Sequence, residues 1–178
     1  METYTLIDGK DFSYQGYFEI QKFYRMIDTY FKDRHWNKKE NKNFEQVTKD
    51  GRQITLELAP YRSADDYTKQ EIIIFMVISG IRDVEIEVDG HKRKVQSASI
   101  YANLTALLTT DRQGYWEGKP VQYFFHIFVD KFIRKHYNQA AALECVKTCN
   151  ELQDQMKSFL NMNRYLTSKT NTDASHTA

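Results

Sequence analysis

Residues Gly80 to Val95, GIRDVEIEVDGHKRKV, constrain the fold more than any other stretch of this chain. Val84-Glu85-Ile86-Glu87-Val88 alternates apolar and charged side chains, the period of a strand with two unlike faces. Asp89-Gly90 is a dipeptide that enters a type I′ hairpin turn at low conformational cost. A two-residue turn there sets Glu87 opposite Lys92 and Glu85 opposite Lys94, with Val84 meeting Val95 on the other face. Turn chemistry, alternation and cross-strand charge agree on one register, so an antiparallel sheet is expected in mid-chain.

With 178 residues, the chain is long enough to bury about two-thirds of its unfolded surface. A net charge of +1 argues against coating nucleic acid or an anionic membrane, since both rely on a strong basic excess. Cys145 and Cys149 are the only two cysteines, too few for a disulfide framework. The opening Met1 to Asp8 has neither a basic segment nor an apolar core. The longest apolar run, Ile72 to Ile78, falls far short of the ~20 residues of a membrane span. The expectation is a soluble cytoplasmic protein in a reducing compartment; a virion component also fits.

Tyr4 to Ile7 and Asp11 to Gln15 read as two short strands about an Asp8-Gly9 turn. A helix follows over 18–34, with Ile20, Phe23, Ile27 and Tyr30/Phe31 on one stripe. His35 to Asn43 reads as a polar basic loop. A second hairpin is expected from Phe44 to Leu58 around Asp50-Gly51, ended by Pro60. Gln70 to Ser79 carries apolar residues at successive positions, so it is expected to be a central strand covered on both faces. Ser99 to Leu108 reads as a further strand, 111–119 as a loop, and 120–137 and 140–166 as helices, with Pro120 in a first turn. The polar segment 167–178 is expected to be disordered. The fold class is thus α+β: an antiparallel sheet of about five to seven strands packed against an N-terminal-half helix and long C-terminal helices. A core domain would span 1–137, and helix 138–166 would pack on it or on a neighbouring subunit.

The order of helix 18–34, a DG hairpin, GIRDVEIEVDGHKRKV, the loop holding Asp111, Tyr115, Trp116 and Glu117, and an aromatic helix ending in VDKFI resembles a family of small uncharacterised archaeal or archaeal-virus proteins. Their hairpins read like GLxDVEVExDGKK and their loops like DYxxRWE. The resemblance covers about residues 12–135, and Gln113-Gly114 departs from the loop pattern. It implies an archaeal or archaeal-virus source and no activity, cofactor or partner.

Cys145 and Cys149 lie four apart on an expected helix, nine residues after His136. A structural zinc site needs four ligands, usually with a turn-borne knuckle, so neither a metal nor a cofactor is assigned. Ala142, Cys145, Cys149, Leu152, Met156 and Phe159 instead form a stripe that faces the chain's own sheet or the same helix of a second subunit. Arg112, Tyr115 and Trp116 combine the residue types of interface anchors; the alternative is that the aromatics plug the core. Lys32 to Lys42 and His91 to Lys94 are basic, but a near-neutral chain would need them to converge to hold nucleic acid. Asp65, Asp66, Tyr67, His35, His91, His126 and His136 show no nucleophile–base spacing, and no phosphate loop or hydrolase motif occurs. No catalytic residue is assigned, and the reading leans away from an enzyme.

The leading expectation is a non-catalytic interaction or assembly protein that associates with itself or with other protein subunits, a structural or accessory part of a larger particle. Its interface would include Arg112, Tyr115, Trp116, Cys145, Cys149, Leu152, Met156 and Phe159. The alternative is a carrier of small hydrophobic ligands with a helix-grip-like pocket, and a weak nucleic-acid binder comes third. A cavity of at least ~300 Å³ with a few convergent polar groups would favour the carrier.

Overall fold

The long apolar and alternating runs of the middle of the chain pair into one antiparallel sheet, against which two helices lay their apolar stripes. A computed structural model describes residues 2–49, 51–63, 67–88, 91–110 and 135–173. In chain order they form β1 (Glu2–Phe18), α1 (Ile20–Asp33), β2 (Glu40–Thr48), β3 (Gly51–Leu58), β4 (Tyr61–Ser63), β5 (Lys69–Val88), β6 (His91–Thr110) and α2 (Lys135–Asp173). The sheet runs β1-β6-β5-β3-β2, and β4 pairs with the start of β5. No described helix is long and apolar enough to cross a membrane.

The register expected from GIRDVEIEVDGHKRKV is present: Val84 pairs with Val95, Glu85 with Lys94 and Glu87 with Lys92. The turn residues Asp89 and Gly90 lie outside the described residues. The hairpin is the tip of a much longer one, because β5 and β6 each run for 20 residues. Its ladder shifts between Ser79 and Arg82, where Gly80 takes φ +65°, the left-handed conformation of a glycine bulge. Bulges of this kind bend a strand and raise its twist. A second shift interrupts β1 between Ile7 and Lys10, where Gly9 has φ +70°. Here the expected turn between two strands is instead a bulge in one continuous strand. The unbroken length of β6 supplies pairing partners on both sides of Gly9.

β5 is central, between β6 and β3, but its two faces are unequal. Ile72, Ile74, Met76 and Ile78 are buried under the helices, whereas Ile73, Phe75 and Val77 are half-buried. Both described helices cover the face of Ile72, Ile74, Met76 and Ile78. On the outer face the register lines up Phe44, Thr55, Val77, Tyr101 and Ser13 across five strands. Phe44 is 53% and Tyr101 41% exposed there.

α1 buries Phe23, Ile27, Tyr30 and Phe31, the stripe its sequence spacing predicts. No side chain of its own turn caps its start; Gln96 of β6 reaches across so that its Oε1 accepts from the Ile20 amide at 3.3 Å. Its end is a Schellman motif: the Trp36 amide donates to Phe31 O at 3.0 Å and the His35 amide to Lys32 O at 3.1 Å. His35 takes φ +57° to close it. The motif's apolar contact is Trp36 against Phe31, ring centroids 5.5 Å apart. The segment read as a polar loop from His35 therefore turns Trp36 inward, and strand pairing resumes at Glu40, four residues before the expected start.

Of the two long C-terminal helices expected, one is described, α2. The first of the expected pair, 120–137, falls almost wholly on residues 111–134, outside the described ones. α2 continues through Asp173 instead of giving way to disorder after Leu166, since extending an existing helix costs far less than nucleating one. Its buried stripe is Ala141, Cys145, Thr148, Cys149, Leu152, Gln153, Met156 and Leu160. Ala142 and Phe159, placed on the stripe by the sequence reading, sit on its half-buried flank. An α-helix drifts against a 3.5-residue repeat, and the drift moves the ends of the stripe by one position. α2 packs on β1, β5 and β6, so its seam faces the chain's own sheet. Polar ties fix it there: Gln70 donates to Ala141 O at 2.7 Å and accepts from Arg62 at 2.9 Å, and Lys10 donates to Asn150 at 2.8 Å. The Tyr30 hydroxyl donates to Thr148 O at 2.9 Å and joins α1 to α2.

Two backbone substitutions test this description. His35→Gly should raise stability by about 0.5–1 kcal/mol, because glycine adopts positive φ without the Cβ penalty. Gly80→Val should lower it by ~1 kcal/mol or more, although a Cβ at Gly80 meets no atom within 4 Å, because φ +65° itself strains a β-branched residue. Urea midpoints that move in the opposite order would refute both bulge and cap.

Candidate functional site

Of the residues proposed as an interface, Arg112, Tyr115 and Trp116 lie outside the described residues. Cys145, Cys149, Leu152 and Met156 are fully buried in the core cluster and Phe159 packs at its margin, 5.6 Å from Phe23 between ring centroids. Cys145, Cys149, Leu152 and Met156 are thus packed within the chain. Burial pushes the Cys145 thiol up to about 12, with Cys149 adding to it, and pushes the Cys149 thiol up to about 11 against the opposing pull of Lys10. Both remain protonated thiols at neutral pH, which are poor nucleophiles and poor metal ligands. Among the described residues no group of three or more His, Cys, Asp or Glu side chains could hold a metal ion.

The two basic segments do not converge. The hairpin strand carrying Lys92 to Lys94 leads to Gln96 at the start of α1, whereas Lys32 to Lys42 follows its end. The 14 residues of α1 separate them by about 20 Å at 1.5 Å per residue. His126, Asp65 and Asp66 lie outside the described residues, as does the His136 side chain.

The open space lies elsewhere, on the half of the sheet that α2 leaves uncovered. α1 bridges that half, and beneath it runs a cleft of two adjoining chambers. The larger, about 520 Å³, lies between Ile20, Phe23 and Tyr24 of α1 and Ile54, Leu56, Met76 and Ile78 of the sheet. Gln21, Arg25, Asp28 and Asn43 form its polar rim. Each apolar wall follows from a local pattern: the i, i+3, i+4 spacing of α1 above, and the alternation of β3 and β5 below. The smaller chamber, about 180 Å³, is lined by Ile27, Phe31, Trp36, Leu58 and Pro60, with Lys32, Lys38 and Lys39 around them. Tyr24 and Asp28 line both chambers.

A polar strut crosses this junction. Lys38 Nζ lies 2.8 Å from Asp28 Oδ1 and 4.8 Å from the centroid of the Tyr24 ring, and the Tyr24 hydroxyl donates to Glu40 Oε2 at 2.7 Å. The Asp28 contact, helped by Tyr24, holds the Lys38 ammonium above its ordinary range. Desolvation raises the Tyr24 phenol and keeps it a donor. The Lys38–Asp28 pair is half-exposed, and such pairs contribute about 0–1 kcal/mol. It closes the junction weakly.

Trp36, the one aromatic of the basic segment Lys32 to Lys42, lines the small chamber. The residue is only 6% exposed, and its Nε1–H finds no acceptor among the described residues. Its ring is held between Phe31, at 5.5 Å, and the Arg62 guanidinium, at 5.7 Å. A donor buried without a partner costs about 1–3 kcal/mol.

No family model, curated protein or solved structure matches this chain, so nothing in those comparisons bears on the archaeal resemblance.

The cysteines give a prediction with a definite pH sign. With native-state pKa values near 11 and 12 against an ordinary 9.0, alkylation by iodoacetamide should stay slow through pH 9 and become fast in denaturant. Unfolding releases thiol protons in this range, so the contribution is complete below pH 9 and stability falls as pH rises toward 11–12. Rapid labelling of the native protein at pH 8 would show the stripe exposed.

Proposed function

We propose that this protein binds a small, largely apolar ligand in the cleft between α1 and the β5–β3–β2 half of the sheet. The observation that carries the reading is the larger chamber: about 520 Å³, apolar on floor and roof, polar only at its rim. Ligand sites of this size and lining fall in the usual range of ~300–1,000 Å³. The architecture supports it, since α2 fills one half of the sheet's inner face and α1 spans the other half from a capped start to a Schellman end. The test is a fluorescent apolar probe such as anilinonaphthalene sulfonate. Saturable binding of one probe per chain is expected, and Ile54→Trp, which enlarges a half-buried wall of the chamber, should weaken it about tenfold or more (~1.4 kcal/mol). Equal binding by a folded Ile54→Trp variant would overturn the assignment.

A second reading, self-association or assembly with other subunits, draws on a different surface from the one the sequence suggested. It rests on the outer sheet face, where Phe44 and Tyr101 are exposed on either side of Val77 in one cross-strand row. Exposed apolar rows of this kind mark contact surfaces. On this reading, light scattering gives a mass of two chains or more for the parent and of one chain for Phe44→Ser/Tyr101→Ser. A parent that is monomeric at high concentration would refute it without touching the cleft.

A further inference from the structure

We infer that the free edge of β2 pairs with the β2 of a second copy, antiparallel about a two-fold axis at Phe44, so that the two sheets run on as one. This rests on the self-association reading of the outer row, and it names the partner and the mode of contact. β2 is a terminal strand of the sheet, with β3 on one side and no strand on the other among the described residues. Glu40 to Val47 are all exposed, Val47 to 82%. A terminal strand carries a row of unpaired amides and carbonyls that templates a further strand, and folded proteins blunt such edges with proline, bulges or charge. The opposite edge, β1, is broken by two register shifts between Thr5 and Lys10. β2 has no proline, and its ladder with β3 runs without a shift from Lys42 to Thr48.

The residues of β2 select a copy of the same strand as the partner. Two copies related by an axis normal to the sheet pair outer-face residues with outer-face residues, so strand alternation makes the axis pass through a residue. Axes at Lys42 or Glu45 would set like charges opposite each other, which disfavours them. Axes at Asn43 or Gln46 avoid that conflict but leave Phe44 facing Lys42 or Thr48. An axis at Phe44 sets the two aromatic rings opposite each other, with Lys42 opposite Gln46, Asn43 opposite Glu45 and Asn41 opposite Val47. No like charges meet directly, and Glu45 is already answered within its own chain by Arg52 at 3.5 Å. Phe44, 53% exposed, gains the aromatic partner that cross-strand packing favours. The outer row of Phe44, Thr55, Val77 and Tyr101 then continues through the axis into its twin.

The experiment uses the full chain, with light scattering to read its mass and diamide oxidation to read the register on a non-reducing gel. Cys145 and Cys149 are buried, so the introduced thiols alone report. The parent is expected to be a dimer at high concentration. Lys42→Cys/Gln46→Cys, which keeps Phe44, should be captured as a covalent dimer, because positions 42 and 46 of the two copies face each other. Gln46→Cys alone should not, since its two thiols would lie four residues apart along the ladder, about 13 Å, beyond the ~7 Å that a disulfide spans between Cα atoms. Phe44→Lys, which sets two cations on the axis, should weaken the dimer about tenfold or more. Tyr101→Ser should leave it unchanged, because β6 lies three strands in from β2. A multimeric parent whose double and single cysteine variants crosslink alike or not at all, or whose assembly is lost in Tyr101→Ser, overturns the edge pairing and leaves association through the outer face standing. A parent that stays monomeric at high concentration overturns both.

Discussion

The seam between α2 and the β1–β6–β5 half of the sheet is the contact on which the rest of the structure depends. Cys145, Cys149, Leu152 and Met156 are wholly buried in it, and truncating a leucine or methionine in such a place costs about 2–5 kcal/mol. Gln70, Arg62 and Asn150 add directional bonds at its margins, which fix the helix's position along the sheet as well as its depth. A single helix is about 10–12 Å across with its side chains, narrower than the five-strand path it lies on. Filling one half of the inner face with α2 therefore leaves the other half to α1. The cleft is the space between what one helix covers and what the sheet offers.

α1 is held differently, and the difference bears on function. Its start is tied to β6 through Gln96, its middle to α2 through Tyr30, and its end turns back through His35 and Trp36. Between these ties it stands over Ile54, Leu56, Met76 and Ile78 with space beneath. Elements with fewer packed neighbours open at lower free energy than the core, so the roof of the cleft is also the element best placed to move. A ligand entering there need not disturb the seam of α2.

Much of the fold could be read from local chemistry, and the places where it could not are instructive. The hairpin register followed from alternation, a DG turn and opposite charges, each acting over a few residues. The stripe of α1 followed from helical spacing. Gly9 was read as a turn because glycine at positive φ serves turns and bulges alike, and only the length of the partner strand decides between them. The phase of α2 slipped at its ends because a sequence stripe fits a 3.5-residue repeat about as well as a 3.6-residue one over a few turns. The candidate site was the least legible part. Trp36 sits in HWNKKENKN, whose composition says solvent, and nothing local signals that a left-handed histidine will turn the indole inward. The cleft is a property of how two helices divide one sheet, which no short window of sequence contains.

The same geometry separates the two functional readings by face. Cys145, Leu152 and Met156, which an assembly would have used had α2 faced outward, are spent on the inner side of the sheet. Among the described residues, the outer row of Phe44, Val77 and Tyr101 is open to a protein partner and the space under α1 to a small molecule. β3 and β5 contribute to both, since Thr55 and Val77 face outward while Leu56 and Met76 face the cleft. A strand's alternation puts neighbours one residue apart on opposite surfaces. Occupation of the cleft would press on the backs of the strands that display the outer row. Any coupling between ligand and partner would pass through the thickness of this one sheet, along β3 and β5, with α2 as the fixed support against which they shift.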